Sequence, residues 1–311
     1  MDTRSGPGPG PGLDAVTGER RQLINLAYRL LGSLAEAEDA VQEAYARWYA
    51  LPGPQQDAIR SPGAWLTTVA SRICLDQLGS ARARRERYTG AWLPEPLPDP
   101  AQWPAGRADG TADPADQVTA DESVTMAFLV VLDTMTPAER VALILHDVFG
   151  YPFPEVAQIT GRTPAACRQL AVAARRRARA ARPTDTPRAR QARIIADFRQ
   201  AWEAQDIAAL IGLLDPAAIA TADGGGLALT FLDPIEGAEQ IARAWVAIAG
   251  NAPAGATLLE RTVNGQPGLV AQHDGTTVTV FAFAITADRI THIWAIRNPD
   301  KLRPWTARGP G

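Results

Sequence analysis

TPAERVALILHDVFGYPFPEVAQITGRTPAACRQLAVAARRRARAAR, running from Thr136 to Arg182, is the stretch whose reading decides the architecture. Its Val141, Ile144, Leu145 and Val148 keep the spacing of a buried helical stripe, and Gly150 stops that helix. A short second helix carries Val156, Ala157 and Ile159. Gly161 supplies a turn, and Thr163 an N-cap for a third helix opening at Pro164, a residue favoured at the first helical position. In that helix Cys167, Leu170 and Ala174 are expected inward, and Arg168, Gln169, Val172, Arg175 and Arg176 outward. The pattern is a helix-turn-helix that runs straight into arginine. Its third helix suits the DNA major groove, with its N-terminal side chains near base edges and its arginines near phosphates, so that Thr163, Ala165, Arg168, Gln169, Arg175 and Arg176 are the candidate DNA contacts. A solvated basic helix end, stabilised by the helix dipole, is the competing reading. Turn spacing and the arginine block agree, so nucleic acid is the expected partner.

A chain of 311 residues suggests roughly two domains, each large enough to bury a core. The net charge of −3 hides an asymmetry. Arginines concentrate at Arg82, Arg84, Arg85 and Arg87 and again from Arg168 to Arg193, while acids lie in the linkers and the C-terminal third. Of 31 basic residues only Lys301 is lysine, which with the abundance of Ala, Gly and Pro points to a GC-rich bacterial coding sequence. Cys74 and Cys167 fall on helices in separate modules and read as small buried apolar residues. No Cys/His cluster is present, so neither a disulfide nor a metal or other cofactor is expected. The opening MDTRSGPGPGPG lacks an apolar signal core, and no run of 18 apolar residues occurs further along, so a soluble cytoplasmic protein is expected.

Residues 1–12 read as a disordered tail and 13–90 as helical, with apolar stripes through Leu23, Leu26, Leu30, Leu31, Leu34, Val41, Ala44, Tyr45 and Trp48. LPGPQQDAIR at Leu51–Arg60 breaks the pattern before a helix from Pro62 to about Arg87, with Trp65, Leu66, Val69, Ile73 and Leu78 as its apolar positions. Pro94 to Asp121 has linker composition. After a PTDTP connector, a helix over 187–214 and a second over 236–249 are expected, with strands at 217–222, 227–232, 256–263, 267–273, 275–286 and 289–297. The longest, TTVTVFAFAIT, alternates as a half-buried antiparallel strand should. The C-terminal third therefore reads as an α+β cone around a curved antiparallel sheet.

The order acidic helix, aromatic-bearing loop, basic helix, acidic linker, helix-turn-helix resembles bacterial sigma factors of the extracytoplasmic-function (ECF) type. On that resemblance the fold is multidomain: two all-α sigma domains, region two over 13–92 and region four over 122–182, joined by a Pro/Gly/Asp-rich linker over 93–121. AEDAVQEAYARW at Ala37–Trp48 is similar to the helix that docks on core RNA polymerase, implying contacts from Glu38, Asp39, Gln42, Glu43 and Trp48. Residues 61–88 resemble the part that opens the −10 element, and 136–180 the part that reads the −35 element. A promoter-opening protein needs a cationic track and pockets for unstacked bases, since stacking on an aromatic ring is worth about 1–3 kcal/mol per base. Arg60 to Trp65 is the candidate capture loop, and Arg72, Arg82, Arg84, Arg85 and Arg87 the candidates for backbone contacts. Core packing for Trp65 and a solvated charge run for the arginines are the competing readings.

YTGAWLPEPL at Tyr88–Leu97, DGGG at Asp223–Gly226 and NPDKL at Asn298–Leu302 resemble signature motifs of the ECF group with a SnoaL-like C-terminal domain, the SigJ-like group, which implies such a domain over 187–305. The resemblance implies interdomain regulatory contacts from Trp92, Leu93, Pro94, Glu95 and Pro96, from Asp223, Gly224, Gly225 and Gly226, and from Asn298, Pro299, Asp300, Lys301 and Leu302. Ala91, Gly79 and Leu227 depart from the residues usual there. Gly79 weakens its helix by roughly 1 kcal/mol relative to alanine. The expected function is that of an alternative sigma factor, with core RNA polymerase and promoter DNA as partners, and with the C-terminal domain contacting region two and the linker in cis. A ligand-sensing helix-turn-helix regulator is one alternative. Another is a cyclase- or isomerase-like enzyme, whose proton-transfer candidates would be Asp197, Asp223, His273, Asp274 and His292 beside Trp202, Trp245 and Trp294. Nothing in the sequence names a small ligand for the cone.

Overall fold

The computed structural model describes residues 19–85, 88–99, 124–179 and 186–306, with side chains left out at 81–85. Contacts divide the chain into two units, both discontinuous: one joins the chain up to Ser80 with Thr136–Ala174, the other joins Ala81–Met135 with Arg175 onward. The expected tail over 1–12, Arg87 and the 100–121 part of the linker lie outside the described residues, as do the side chains of Arg82, Arg84 and Arg85.

In the first unit, α1 (Arg20–Leu31) buries Leu23, Ile24, Leu26, Ala27, Leu30 and Leu31 and stops at Gly32, whose φ of 73° lets its N–H return to Tyr28 O. The Ser33 side chain caps α2 (Leu34–Tyr49), which turns Ala37, Ala40, Val41, Ala44 and Trp48 inward. A short helix, α3 (Gly53–Ala58), occupies part of the expected break, opened by the Pro52 and Gly53 turn. Next comes α4 (Pro62–Arg85), burying Leu66, Ala70, Ile73, Cys74 and Leu78. Both cysteines are buried and free, and burial pushes the Cys74 thiol up, as suits an inert apolar side chain.

The helix-turn-helix packs into this same unit. Thr136 and Glu139 form a reciprocal capping box at the start of the helix after α5 (Met126–Asp133), namely α6 (Pro137–Leu143). That helix continues into a π turn, Ile144–Val148, where Phe149 N–H reaches Ile144 O at 3.1 Å. One extra residue in the turn rotates the chain beyond it by about 100°. Val148, expected in the buried stripe, is consequently 37 % exposed. Then come α7 (Phe153–Thr160), Gly161 at φ 64°, and α8 (Pro164–Ala178). The buried stripe of α8 is Cys167, Ala171 and Ala174; Leu170 sits at its flank, half-buried, because Ala171 holds the position one turn after Cys167. Arg140 of α6 is buried and its Nη1 donates to Leu30 O at 2.8 Å, while burial lowers its guanidinium to about 10. Fully buried Arg29 of α1 lies 5.7 Å over the Phe149 ring. The two helical modules, separate in the sequence pattern, thus share one core.

The second unit is built on α9 (Arg188–Glu203), α10 (Ile207–Leu213), β1 (Leu214–Asp223), β2 (Ile235–Glu236), α11 (Ala238–Gly250), β3 (Ala256–Val263), β4 (Gln266–His273), β5 (Thr276–Thr286) and β6 (Arg289–Ile296). Among the described residues the sheet order is β2-β1-β6-β5-β4-β3, antiparallel throughout except that β1 runs parallel to β6. Register shifts in β1, β4/β5 and β5/β6 give the curvature. Two sequence expectations are corrected here. The single helix over 187–214 is broken at Gln205 (φ 55°), after which Asp206 caps α10 by accepting from Ala209 N at 2.9 Å. The strand over 227–232 is absent: Leu227 N and Ala228 N fold back onto Gly224 O, and the edge strand forms later, at Ile235–Glu236.

This sheet buries both faces. One packs Phe198 and Trp202 of α9, Leu210 of α10 and Trp245 of α11 against Phe281, Phe283 and Ile293. The other face, Val263, Val270, Val280, Ala282, Trp294 and Ile296, is covered by Leu93, Met126, Leu302 and Trp305. At about 25 cal/mol per Å² of apolar area, that second layer is a substantial hold on segments that composition alone would leave loose. Residues 93–98, expected as linker, are buried there, and α5, expected with the helix-turn-helix, belongs to this unit.

Candidate functional site

Thr163 caps α8, accepting from Ala166 N at 3.2 Å, so its hydroxyl serves the helix rather than standing free. Ala165, Arg168, Gln169 and Arg176 are exposed along one stripe, and Arg175 is half-buried. Val172, midway along that stripe, is 57 % exposed. Arg168 holds its guanidinium carbon 5.3 Å over the Phe153 ring, and His146 stacks on the same ring at 3.9 Å. Neither aromatic partner stands out in the sequence, because the π turn that brings His146 there leaves no local signature.

The region-two candidates divide. Arg60 is exposed; Arg72 is exposed too, but donates to Gln158 O of α7 at 2.9 Å. Trp65 is half-buried with its ring against Trp48, at 5.3 Å between centroids and 61°. Trp48, a polymerase contact on the resemblance and also a member of the apolar stripe, is 6 % exposed, since the inward stripe of α2 ends on it. Asp39, Gln42 and Glu43 line the opposite, exposed face, Glu38 is half-buried, and Glu43 pairs with Arg47 at 2.5 Å.

The three motif segments converge on one carboxylate. Asp223, fully buried at the end of β1, accepts from Tyr88 Oη at 2.6 Å, Leu93 N at 2.9 Å, Gly225 N at 3.0 Å and Lys301 Nζ at 2.7 Å. Lys301 also donates to Leu93 O and lies 4.2 Å from the Trp92 ring centroid and 5.2 Å from that of Tyr88. Asn298 Nδ2 donates to the Tyr88 hydroxyl at 2.8 Å. Burial first, then the bond to Asp223, pushes the tyrosine up, so it stays a proton donor to the carboxylate. Further along, Trp305 Nε1 donates to Pro96 O at 2.8 Å, and Leu97 exchanges two bonds with Asn264 at 2.9 and 3.2 Å. Gly225 (φ 65°) is required, because a Cβ would run into the Asn298 amide. Gly224 is buried and Gly226 (φ 71°) lies against Thr89. Pro94, Glu95, Pro96 and Leu302 are buried, whereas Pro299 and Asp300 are exposed. Tyr88, Asn264 and Trp305 were the members missing from the expected set; only Tyr88 sits inside a motif.

The proton-transfer candidates do not converge. Asp197 is exposed on α9, and His273 with Asp274 sits at the β4–β5 turn. The lone pairs of Asp223 are taken by four donors. His292 stacks on Trp294, on the sheet face opposite Trp202 and Trp245. Among the described residues no group of three potential metal ligands occurs, and no helix is long and apolar enough to cross a membrane.

Known proteins of one family match the chain over most of its length. The family Sigma-70 region 2 matches residues 15–84, and Sigma-70, region 4 matches 125–177. The ECF RNA polymerase sigma factor SigJ of Mycobacterium tuberculosis is 37 % identical, covering 91 % of this chain and 90 % of its own length. A probable ECF RNA polymerase sigma factor of the same species, SigI, is 35 % identical, covering 93 % of each. The crystal structure of M. tuberculosis SigJ superposes with a TM-score of 0.73 at 32 % identity, over 94 % of this chain and 98 % of that one. Two sigma regions in order, relatives matched over nearly their full length and a SnoaL-like third domain identify a transcription initiation factor rather than an enzyme, and the chain belongs to the ECF RNA polymerase sigma factors.

Proposed function

We propose that this cytoplasmic sigma factor places α8 on the −35 element and the loop and basic end around α4 on the −10 element, with Asp39, Gln42 and Glu43 facing core polymerase, and that its C-terminal domain controls the pair in cis. The observation that carries the regulatory reading is the buried Asp223–Lys301–Tyr88 cluster. It clamps the segment that leaves region two, while α5, which leads into region four, lies on the same sheet face through Met126, Ala127 and Val130. Both ends of the connection between the DNA readers are therefore held by one domain. A tethered contact of this kind acts at high effective concentration, so modest docking energy suffices to hold it. Engagement of polymerase and promoter releases this segment, a strap over residues 88–98, from the cluster.

Run-off transcription with core RNA polymerase, on a promoter upstream of this protein's own gene, tests the proposal. The full chain is compared with a form ending near Pro187 and with Lys301→Met. Specific transcripts whose amount changes between the forms support control in cis, and the sign of the change says whether the domain restrains or assists. Equal output from all three would leave a sigma factor without this control. Absence of specific transcripts would remove the promoter assignment itself.

A further inference from the structure

We propose that His146, Phe153 and Arg168 form a pre-set base reader, with Arg168 aimed at the O6/N7 edge of a guanine in the −35 element and Val172 set against a thymine methyl within two base pairs of it. This rests on the placement of α8 on the −35 element and adds which side chains specify sequence and what positions them.

Arg168 is exposed, and among the described residues its guanidinium meets no hydrogen-bond acceptor; its contact is the face of Phe153 at 5.3 Å. The same ring stacks with His146, at 3.9 Å between centroids and 26°. His146 is fixed in turn, since its Nδ1 lies 2.8 Å from Tyr151 O, a carbonyl that can only accept. Phe153, the first residue of α7, thus joins His146 of the π turn and Arg168 in the first turns of α8 in one contact chain. A π turn is costly enough that it tends to persist where function requires it. A guanidinium held over a ring keeps N–H groups available for a further partner and gives up part of its rotamer freedom in advance, which favours bidentate recognition. Arginine paired bidentately with guanine is the commonest specific contact in the major groove.

Val172 adds an independent observation. It is β-branched, a poor choice for a helix surface, and at 57 % exposure it gains little from folding. It lies one turn beyond Arg168, about 6 Å along the helix axis. Base pairs rise by about 3.4 Å, so the two side chains address positions within two steps. An apolar side chain there matches the C5-methyl of thymine.

The test uses the full chain with core RNA polymerase on templates sharing one −10 element and carrying a randomised −35 element, with transcripts counted by sequencing. Arg168→Ala should reduce preference at a single guanine by roughly 5- to 150-fold. Phe153→Ala should reduce preference at that same base, and Phe153→Tyr, which keeps the platform, should restore it. Val172→Ala should lower preference at a separate thymine. The proposal is overturned if Arg168→Ala keeps the wild-type position-by-position preferences. It is also overturned if Phe153→Ala lowers all sequences evenly and Phe153→Tyr does no better, which is what a purely structural ring would do. Wild-type chain giving no specific transcript from any template would overturn the promoter assignment, and this inference with it.

Discussion

Replacing Lys301 with methionine removes the cation paired with Asp223 while keeping a chain of similar length against Trp92. The carboxylate is fully buried, and Lys301 itself is only 8 % exposed, so water cannot take over the missing contact. Breaking a buried pair from one side costs about 3–5 kcal/mol, because a charge is left behind. Tyr88 Oη, Leu93 N and Gly225 N still donate to that charge, which places this case at the lower end, about 3 kcal/mol. For a unit of this size each kcal/mol moves the melting temperature by roughly 2–4 °C, so the C-terminal transition should fall by roughly 6–12 °C. Adding Asp223→Asn to Lys301→Met removes the stranded charge and should recover about 1 kcal/mol. Scanning calorimetry of the full chain, with denaturant titration as a second probe, gives both numbers. A Lys301→Met variant within about 0.5 kcal/mol of the wild type, or a double variant no more stable than the single one, would refute the view that the pair is desolvated and coupled.

Three further outcomes are expected. Thr136→Ala removes the hydroxyl that accepts from Glu139 N and donates to the Glu139 carboxylate, so the first unit should lose about 1 kcal/mol in urea titration; no loss would mean the cap is not formed in solution. Burial holds the His292 imidazole below its ordinary value, so the unfolded chain binds the extra proton more readily. Stability of the C-terminal unit should therefore fall as pH drops below about 6.5, and His292→Asn should flatten that slope in the difference from wild type. Gly225→Ala forces a side chain into positive φ and against Asn298, and should loosen the strap, read as faster amide exchange at Leu93 and Leu97.

Where local chemistry alone determines structure, the sequence was readable. Gly161, Thr163 and Pro164 announce the turn and start of α8 by backbone and capping preferences that need no distant partner. Asn264–Gly265 and Asp274–Gly275, all at positive φ, mark the β3–β4 and β4–β5 hairpins for the same reason. The features that escaped depend on distant contacts. Leu93 to Pro98 has the composition of a linker, and becomes buried only because Asn264 and Trp305, far along the chain, accept and donate to its backbone. LALTFL at Leu227–Leu232 alternates like a strand, yet among the described residues it pairs with no strand once the glycine turn has closed on Gly224 O. Arg72 looked like a phosphate ligand, and its bond to Gln158 O arises from the sharing of one core by the two helical modules. The Asp223 cluster was legible as three motifs, while its geometry, one carboxylate gathering all three, required the fold.

Because Lys301 is the only lysine, its accessibility reports directly on whether the strap is clamped. The decisive measurement is the rate of reductive methylation at Lys301, read by peptide mass spectrometry, for the chain alone and for the chain with core RNA polymerase and promoter DNA. The account predicts strong protection in the free chain and reaction in the initiation complex. Equal protection in both would contradict it, because the strap would then stay locked while the DNA readers work.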